Sequence, residues 1–268
     1  MANLTATTPA TASRAGLSIE GRRLSYLDFG GTGRPLVALH GHLSEGATFA
    51  DLAAALGPQW RLIAPDQRGQ GESDRTADYS REGYLADLEA FLDHLGLGEV
   101  VLLGHSLGAI NAYQFAARHP ERVAALVNAE GPVALGLDGT NPFGFLLNLP
   151  YDAPTREALV EGLGPAAPYF SERLRENADG TWRLPFHPQD MYRSEDQVHG
   201  DHWAHWTATS CPALLIRATK GTLPADQATA MVECRPGTTF AELDADHLLH
   251  TTAPDTFATT VRNFLATL

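Results

Sequence analysis

The feature that most constrains the fold is a set of short apolar runs that alternate with stretches of helical spacing. Runs that are apolar almost throughout are typical of strands covered on both faces of a sheet. The stretches between them carry apolar residues three or four positions apart and stop at Gly or Pro. This alternation predicts right-handed crossovers and a doubly wound α/β fold with a mainly parallel sheet. The predicted strands are 22–30, 35–40, 61–66, 100–105, 122–129, 212–218 and 238–243, and the predicted helices include 47–57, 80–96 and 107–120.

One long segment interrupts the alternation and is predicted to be an inserted helical lid. It is rich in Pro, Gly and aromatic residues, too long for a crossover and too apolar for disorder. Within it we expect a helix at 154–163, a polar turn at 177–180 and more helix toward Trp206. The predicted limits are 1–15 for a disordered N-terminal tail, 16–131 and 207–268 for the core of a single domain, and 132–206 for the lid.

The charge balance limits the partners that this chain can have. Its 268 residues include 19 Lys and Arg against 32 Asp and Glu, a formal charge of −13 that repels phosphate backbones and anionic lipids. Neither nucleic acid nor a membrane is an expected partner. The two cysteines, Cys211 and Cys234, form no CxxC pair and are interpreted as ordinary reduced thiols. The N-terminus has no secretory-signal pattern, so a cytoplasmic protein is expected, and its oligomeric state is open.

The pentapeptide GHSLG (104–108) joins a predicted strand to a predicted helix. A serine in that context is a nucleophile elbow, in which small residues on either side relieve crowding at a strained turn. The hydroxyl of Ser106 would lie at a helix N-terminus, where N–H groups and the helix dipole stabilise negative charge. A bare GxSxG also occurs by chance. The strand before it and the helix after it therefore make Ser106 the predicted nucleophile rather than part of a structural turn.

The sequence HGHL (40–43) follows another predicted strand and enters a loop. In a sheet enzyme with a nucleophile elbow, that loop supplies one N–H of the oxyanion hole, and the residue after the nucleophile supplies the other. The predicted donors are the backbone N–H groups of His42 and Leu107. Each such donor contributes about 2.7–4 kcal/mol in the transition state. For the imidazole rings of His40 and His42, we favour loop packing and local hydrogen bonding over a chemical role.

Two histidines compete for the role of general base in DADHLLHTTAPDTF (244–257), between the last predicted strand and the terminal helix. A histidine at the exit of that strand can accept the proton of Ser106 and pass it to the leaving group. His247 lies nearer to the strand exit and is the predicted base. His250 is interpreted as a pocket-edge or core residue.

Taken together, these motifs resemble those of the α/β-hydrolase superfamily. The HG loop, PDQRGQGES (65–73), GHSLG and DADHLLH occur in that family's order and extend over nearly everything after residue 17. The resemblance implies an eight-stranded, mainly parallel sheet and the chain order nucleophile, acid, histidine. Within PDQRGQGES, Asp66 and Arg68 are interpreted as shaping a loop rather than contacting substrate.

The acid that this resemblance implies is missing from its usual place. Members of the superfamily usually carry an aspartate on the loop after the strand at 212–218, and aligning on Arg217 puts Gly221 there. The next carboxylate, Asp226, follows Pro224 and is expected on a helix, facing away. Neutralising the acid of a well-studied triad lowers kcat by about 10⁴. An active enzyme therefore needs a carboxylate from elsewhere.

Glu130 is the predicted replacement, because LVNAEGP (126–132) puts a carboxylate at the end of the preceding buried strand. A carboxylate there is costly unless it is paired, and the extra methylene of Glu extends its reach toward His247. LVNAEGP resembles the corresponding segment of haloalkane dehalogenases and zearalenone-type lactonases, branches that place the acid after the sixth strand. A surface-facing Glu at a lid hinge is the alternative.

Dehalogenases and epoxide hydrolases of this fold attack with an aspartate. Because position 106 is a serine, acyl chemistry is favoured over an alkyl-enzyme.

The lid segment is rich in large apolar groups, which predicts a mostly apolar pocket. Some of these groups are expected to form the lid's own core. The predicted pocket residues are Phe143, Leu146, Trp182, Met191 and Trp203.

The lid also contains three histidines, His199, His202 and His205, which lie three residues apart and suggest a metal site. Such spacing drifts by roughly 120° around a helix, and HExxH is absent, so helix packing is favoured and no metal is expected.

The sequence therefore predicts a cofactor-free serine hydrolase with a Ser106, His247 and Glu130 triad, acting on a small apolar carboxylic ester or lactone. Three alternatives stay open. A carbon–carbon bond hydrolase or a cofactor-free dioxygenase would use the same fold and the same histidine. A non-catalytic small-molecule binding protein would keep the fold and turn over nothing. A cyclase or acyltransferase would pass the acyl group to a nucleophile other than water.

Overall fold

The computed structural model describes residues 12–268, which build one eight-stranded sheet with helices on both faces and an inserted lid. The strands are β1 (Ser13–Ile19), β2 (Arg22–Asp28), β3 (Arg34–Leu39), β4 (Trp60–Pro65), β5 (Val100–His105), β6 (Val123–Ala129), β7 (Ala213–Lys220) and β8 (Thr238–Asp246). They lie in the order β1-β2-β4-β3-β5-β6-β7-β8. The pairs β1–β2 and β2–β4 are antiparallel and all the others are parallel. The predicted doubly wound fold with a mainly parallel sheet is confirmed.

The helices alternate with these strands, as the spacing of apolar residues predicts. They are α1 (Ala50–Leu56), α2 (Arg81–His94), α3 (Leu107–Arg118), α4 (Arg156–Leu163), α5 (Ala167–Phe170), α6 (Pro188–Val198), α7 (Trp203–Ala208), α8 (Ala225–Glu233), α9 (Leu249–Thr252) and α10 (Pro254–Leu265). Short 3-10 helices lie at Gly46–Phe49, Pro120–Arg122, Pro142–Asn148, Gly164–Ala166 and Ser171–Arg173. Ser80 caps α2, because its hydroxyl accepts the N–H of Gly83 at 3.2 Å.

The sheet divides the apolar core into two clusters. One contains buried side chains of α2, α3, α8 and the lid, and the other contains side chains of α1 and α10. Both faces of β3, β5 and β6 are therefore covered, and every residue of β5 is buried. This is why these strands read as continuous apolar runs. No helix within residues 12–268 is long and apolar enough to cross a membrane.

The N-terminal strand corrects the predicted limit of the disordered tail. Residues 13–15, assigned to the tail from the sequence, belong to β1, which pairs with β2 through a turn at Glu20 and Gly21. The strand was missed because it is an edge strand in which Leu17 alone is fully buried, so it has no apolar periodicity. Residue 12 has no regular secondary structure, and residues 1–11 of the predicted tail lie outside the described residues.

The lid contains more than helices. Besides α4 to α7, it holds two small antiparallel sheets. One has three strands, at Asp152–Ala153, Arg175–Glu176 and Trp182–Arg183, and the other pairs Ala134–Leu135 with Gly200–Asp201. The predicted polar turn at 177–180 closes a hairpin of the first sheet. Strands of two residues carry no readable alternation, so the sequence indicated helix alone.

Asp66 and Arg68 of the loop PDQRGQGES, interpreted from the sequence as shaping that loop, form hydrogen bonds to the core. The buried carboxylate of Asp66 accepts the N–H groups of Gly46 at 2.7 Å and Glu72 at 3.1 Å. Arg68, also buried, pairs with Asp87 of α2 at 2.8 Å. These contacts satisfy groups that are costly to bury unpaired.

Candidate active site

The predicted nucleophile lies on a sharp turn between β5 and α3. Ser106 has φ 51° and ψ −118°, a sparsely populated conformation that costs of order 1–3 kcal/mol. Its N–H donates to the Ala129 carbonyl at 2.9 Å, and its own carbonyl accepts the N–H of Ile110 at 3.1 Å. A Cβ at Gly104 would overlap the backbone of α3, and one at Gly108 would overlap the end of β3. Glycine on both sides therefore lets the turn close.

The predicted oxyanion-hole donors lie beside this turn. Leu107 is the first residue of α3, so its N–H has no partner within the helix. Within residues 12–268, the backbone N–H groups of His42 and Leu107 donate no hydrogen bond to the protein, so both are available to a ligand. The backbone at Gly41 lies against the nucleophile, since a Cβ built there would be 3.2 Å from Ser106 Cβ. The loop that carries His42 thus lies beside the start of α3, and the catalytic role of the two N–H groups stays a prediction.

The ring of His40 serves the packing of this loop. Its Nδ1–H donates to the Gly41 carbonyl at 2.7 Å, and its Nε2 accepts the N–H of Gln67 at 2.8 Å. Burial lowers the pKa of His40 to about 4, against the opposing effect of the bond to Gly41. A neutral ring is the one that can make both bonds, because a protonated ring has no acceptor nitrogen.

The predicted base directly follows β8 and is brought to the elbow by its neighbour His105. The Nε2 of His105 donates to the His247 carbonyl at 2.8 Å, and the two ring centroids are 4.7 Å apart. Within residues 12–268, no hydrogen bond joins Ser106 Oγ to His247. Such a contact is often long before substrate binds. The competing His250 is a core residue, 3% exposed, whose Nε2 bonds the Thr48 hydroxyl at 2.8 Å.

Glu130 follows β6 and is 0% exposed. Its Oε1 accepts the N–H of Ala218 at 2.7 Å, and its Oε2 accepts the N–H of Thr222 at 2.7 Å. The same Oε2 is 3.1 Å from His247 Nδ1. These contacts exclude the alternative of a surface-facing Glu. They place a carboxylate where it can orient the predicted base.

The carboxylate of Glu130 lies against Gly221, the position that the family resemblance aligns with the usual aspartate. A Cβ at Gly221, on the loop between β7 and α8, would overlap the carboxylate of Glu130. The other candidate, Asp226, lies in the first turn of α8 and is exposed, with its carboxylate bonded to the N–H of Gln227 at 2.9 Å. The loop that lacks an acid is therefore shaped around the Glu130 side chain.

Sequence reasoning missed Thr222. Its hydroxyl oxygen is 2.9 Å from His247 Nδ1, slightly closer than Glu130 Oε2 at 3.1 Å. A neutral histidine whose Nε2 accepts a proton has one N–H at Nδ1, so the hydroxyl and the carboxylate share it. The only sign of its role in the sequence was its position directly after Gly221. A single threonine forms no pattern that would indicate contact with His247.

Strained backbone concentrates on the loops of this site. Within residues 12–268, four residues other than glycine have positive φ: Glu20, Leu43, Ser106 and Glu130. Glu20 lies in the hairpin turn between β1 and β2. The other three follow β3, β5 and β6, at the carboxyl edge of the sheet. Strain of this kind is retained mainly at functional sites, which supports the grouping independently of the hydrogen bonds.

The predicted pocket residues lie at different depths in the lid. The ring of Phe143 packs edge to face on the ring of His42, with centroids 5.3 Å apart. Trp182 and Trp203 are partly buried against the core. Leu146 and Met191 are 0% exposed and present no surface to a substrate in this structure. The structure therefore brings Phe143 to the loop that carries His42, and substrate binding by any of the five residues stays a prediction.

Two of the three lid histidines bind different partners through their rings. His199 Nε2 lies 3.4 Å from the Glu195 carboxylate, while His202 Nε2 donates to the Val198 carbonyl at 2.8 Å. In the part of the chain that the structure describes, no three or more His, Cys, Asp or Glu side chains are grouped as a metal site would require.

Comparison with known proteins agrees with this fold. Residues 34–254 match the family model described as alpha/beta hydrolase fold. The chain is 31% identical over 261 residues to the N-formylmaleamate deformylase of Pseudomonas putida, a match that covers 93% of this chain and 95% of the relative. It is 26% identical over 247 residues to the 2-(acetamidomethylene)succinate hydrolase of Mesorhizobium japonicum, covering 88% and 89%. The crystal structure of an E-2-(acetamidomethylene)succinate hydrolase superposes with a TM-score of 0.83 at 23% identity, covering 96% of this chain and 100% of that one. Fold, motif order and family match together show that this chain belongs to the α/β-hydrolase fold family.

Proposed function

We propose that this chain is a serine hydrolase that cleaves a carboxylic ester or lactone through an acyl-enzyme. The observation that carries the proposal is the pairing of His247 with the buried Glu130, at the same sheet edge as the strained Ser106. A nucleophile, a base and a group that orients the base are the parts that acyl transfer needs. The apolar ring of Phe143 beside His42 supports an apolar substrate.

In the proposed reaction, Ser106 Oγ attacks the carbonyl carbon while His247 Nε2 takes its proton. Glu130 and Thr222 hold the Nδ1 proton of His247, which fixes the tautomer whose Nε2 is free to accept. The N–H groups of His42 and Leu107 bind the oxyanion of the tetrahedral intermediate. The intermediate collapses to acyl-Ser106, and the alcohol leaves with the proton from His247. Water then hydrolyses the acyl-enzyme through the same groups.

The names of the two curated relatives favour a second candidate, hydrolysis of an acyl–nitrogen bond in a small carboxylate. One name contains an N-formyl group and maleamate, and the other contains an acetamido group and succinate. The structure adds Arg81, which is 7% exposed, donates to Asn111 Oδ1 at 2.6 Å and lies close enough to His42 to lower the pKa of that ring. A positive charge near the His42 loop would attract an anionic substrate group.

Labelling and a substrate panel test the proposal. A fluorophosphonate probe is expected to modify folded wild-type protein at Ser106 and to leave Ser106→Ala unmodified. The panel should contain neutral esters, small lactones, macrolactones and N-acyl compounds with and without a carboxylate. Hydrolysis of the esters or lactones supports the first function, and selective hydrolysis of anionic N-acyl compounds supports the second.

Three outcomes would contradict both functions. Folded protein that takes no label and turns over nothing would be a binding protein. Oxygen uptake, or cleavage of a 1,3-diketone without ester hydrolysis, would indicate the dioxygenase or carbon–carbon bond reaction. A product in which the acyl group joins an acceptor other than water would indicate a cyclase or acyltransferase.

A further inference from the structure

The lid holds the ring of His42 by both of its nitrogen atoms. His42 Nε2 is 2.8 Å from the hydroxyl oxygen of Ser194, and Nδ1 is 3.1 Å from Oε2 of Glu195. Both partners lie on α6 of the lid. The side chain of His42 is 5% exposed and that of Glu195 is 11% exposed, so water competes little for these bonds. A loop residue of the core is thus fixed by a lid helix.

The protons in this chain of bonds have one consistent arrangement. Burial acts to raise the pKa of Glu195, but the hydrogen bonds and charges of His42 and His199 together outweigh it and hold the pKa below its usual value. Burial also lowers the pKa of His42, which favours the neutral ring. Its Nδ1–H donates to Glu195, and its Nε2 accepts the hydroxyl proton of Ser194. Ser194 in turn accepts from Tyr84, whose hydroxyl oxygen is 2.9 Å away.

The loop that His42 belongs to needs to be held in place. It has no regular secondary structure, and Leu43, the next residue, has φ 58°. A third lid residue contacts the loop at this point, because Arg173 Nη1 donates to the Leu43 carbonyl at 2.7 Å. A displacement of about 1 Å in a catalytic group can cost about 10² in rate. The position of the His42 N–H therefore depends on contacts made by the lid.

We propose that Ser194 and Glu195 are positioning residues that hold the His42 N–H in the oxyanion hole by fixing the His42 ring. The inference rests on the proposed function, since it assigns a task to the oxyanion donor of that reaction. It makes α6 a fixed part of the catalytic machinery. A lid that lifted α6 away would disassemble the oxyanion hole, so the lid must be docked at the moment of reaction.

The bonding order of Ser194, His42 and Glu195 is also that of a nucleophile, a base and an acid. Ser194 is 0% exposed, and its oxygen already receives the hydrogen bond of Tyr84. A substrate carbonyl has no access to it in this structure. These contacts fit a positioning role.

The test compares Glu195→Leu, Glu195→Gln and Ser194→Ala with the wild type on the best substrate of the panel. Glu195→Leu removes the acceptor of Nδ1–H, and we expect kcat to fall by about 10- to 100-fold while KM changes by less than about threefold. Glu195→Gln keeps an acceptor oxygen and should restore most of kcat. Ser194→Ala removes one neutral hydrogen bond and should lower kcat by about fivefold. The exposed Glu161→Leu on lid helix α4 is the matched control, with kcat unchanged.

A transition-state analogue separates positioning from folding. The affinity for a trifluoromethyl ketone, which forms an oxyanion, should fall in proportion to kcat/KM across these variants. Wild-type kcat in Glu195→Leu, a loss confined to KM, or fluorophosphonate labelling of Ser194 in Ser106→Ala would overturn the proposal. If Glu195→Leu does not fold, Ser194→Ala and Glu195→Gln still decide it through the same affinities. An active Ser106→Ala would refute the proposed function itself, whereas an inactive Ser106→Ala with a fully active Glu195→Leu would refute only the positioning role.

Discussion

At the residue scale, Glu130 combines burial, positive φ and a full set of partners. Besides the ring of His247, its carboxylate accepts three backbone N–H groups, from Ala218, Thr222 and Leu223. These donors satisfy a group that is otherwise costly to bury. They also hold it still, so the bond to His247 Nδ1 has a fixed direction. A carboxylate that served only to stabilise the fold would not need to face the ring of the predicted base.

Glu130→Gln tests this role directly. The amide keeps the volume of the carboxylate but loses the charge that stabilises the imidazolium and selects its tautomer. We expect kcat to fall by about 10³- to 10⁴-fold, with the protein still folded by circular dichroism. Asp226→Asn, on the exposed face of α8, is the control and should be close to wild type. A fully active Glu130→Gln protein would show that Glu130 is not the acid.

At the element scale, the site is assembled from the loops that leave the carboxyl ends of five strands. The loop after β3 carries the predicted oxyanion donor His42, the turn after β5 carries Ser106, and the loop after β6 begins with Glu130. The loop after β7 surrounds the Glu130 carboxylate, and His247 follows β8. Parallel strands bring these loops to one edge of the sheet. The loop after β7 shows how closely they interlock, because a side chain at Gly221 would overlap the Glu130 carboxylate.

Gly221→Ala should disturb this interlocking without removing any functional group. The added Cβ would overlap the Glu130 carboxylate, so the carboxylate must shift away from His247. We expect kcat to fall by about 10- to 100-fold and the melting temperature to decrease. Gly98→Ala is the matched control, since a Cβ at Gly98 meets nothing within 4 Å. Unchanged kcat in Gly221→Ala would mean that the carboxylate need not stay where the structure has it.

At the scale of the whole molecule, three buried histidines, His40, His105 and His250, lie beneath the site. The ring centroids of His105 and His250 are 4.4 Å apart, and His40 lies close enough to influence both. Burial lowers the pKa of His250 to about 3, that of His40 to about 4, and that of His105 well below its usual value. The folded state therefore resists protonation of rings that the unfolded chain protonates near pH 6.5.

This group predicts how the free energy of unfolding depends on pH. Because the unfolded state binds more protons below about pH 6.5, stability is full above that pH and falls as the pH drops toward 4. Each unit of pKa difference corresponds to about 1.4 kcal/mol. Urea unfolding at several pH values should show this decline. His250→Phe should flatten it, whereas His94→Asn at an exposed position should not. An equal slope in His250→Phe would contradict the prediction.

The sequence anticipated most of the fold because the central strands are buried on both faces. Each predicted strand begins and ends within three residues of the corresponding observed one. The edge strand β1 and the two-residue strands of the lid were missed, since neither kind has enough buried residues to produce a pattern. The elbow was recognisable because its glycines are required by close backbone contact.

What the sequence determined by itself is the central sheet, the chain order of the motifs and the absence of an acidic residue at Gly221. These follow from local chemistry, namely apolar runs, turn residues and a serine between a strand and a helix. What only the tertiary structure decided is which side chains meet. The sequence pointed to Glu130 as the acid, but it did not reveal which groups hold the carboxylate. Thr222 donates its N–H to that carboxylate and shares the proton of His247, and α6 holds the ring of His42, through contacts that span 92, 25 and 152 residues of sequence. Such contacts leave no local pattern in the sequence, because packing selects them after the strands have aligned.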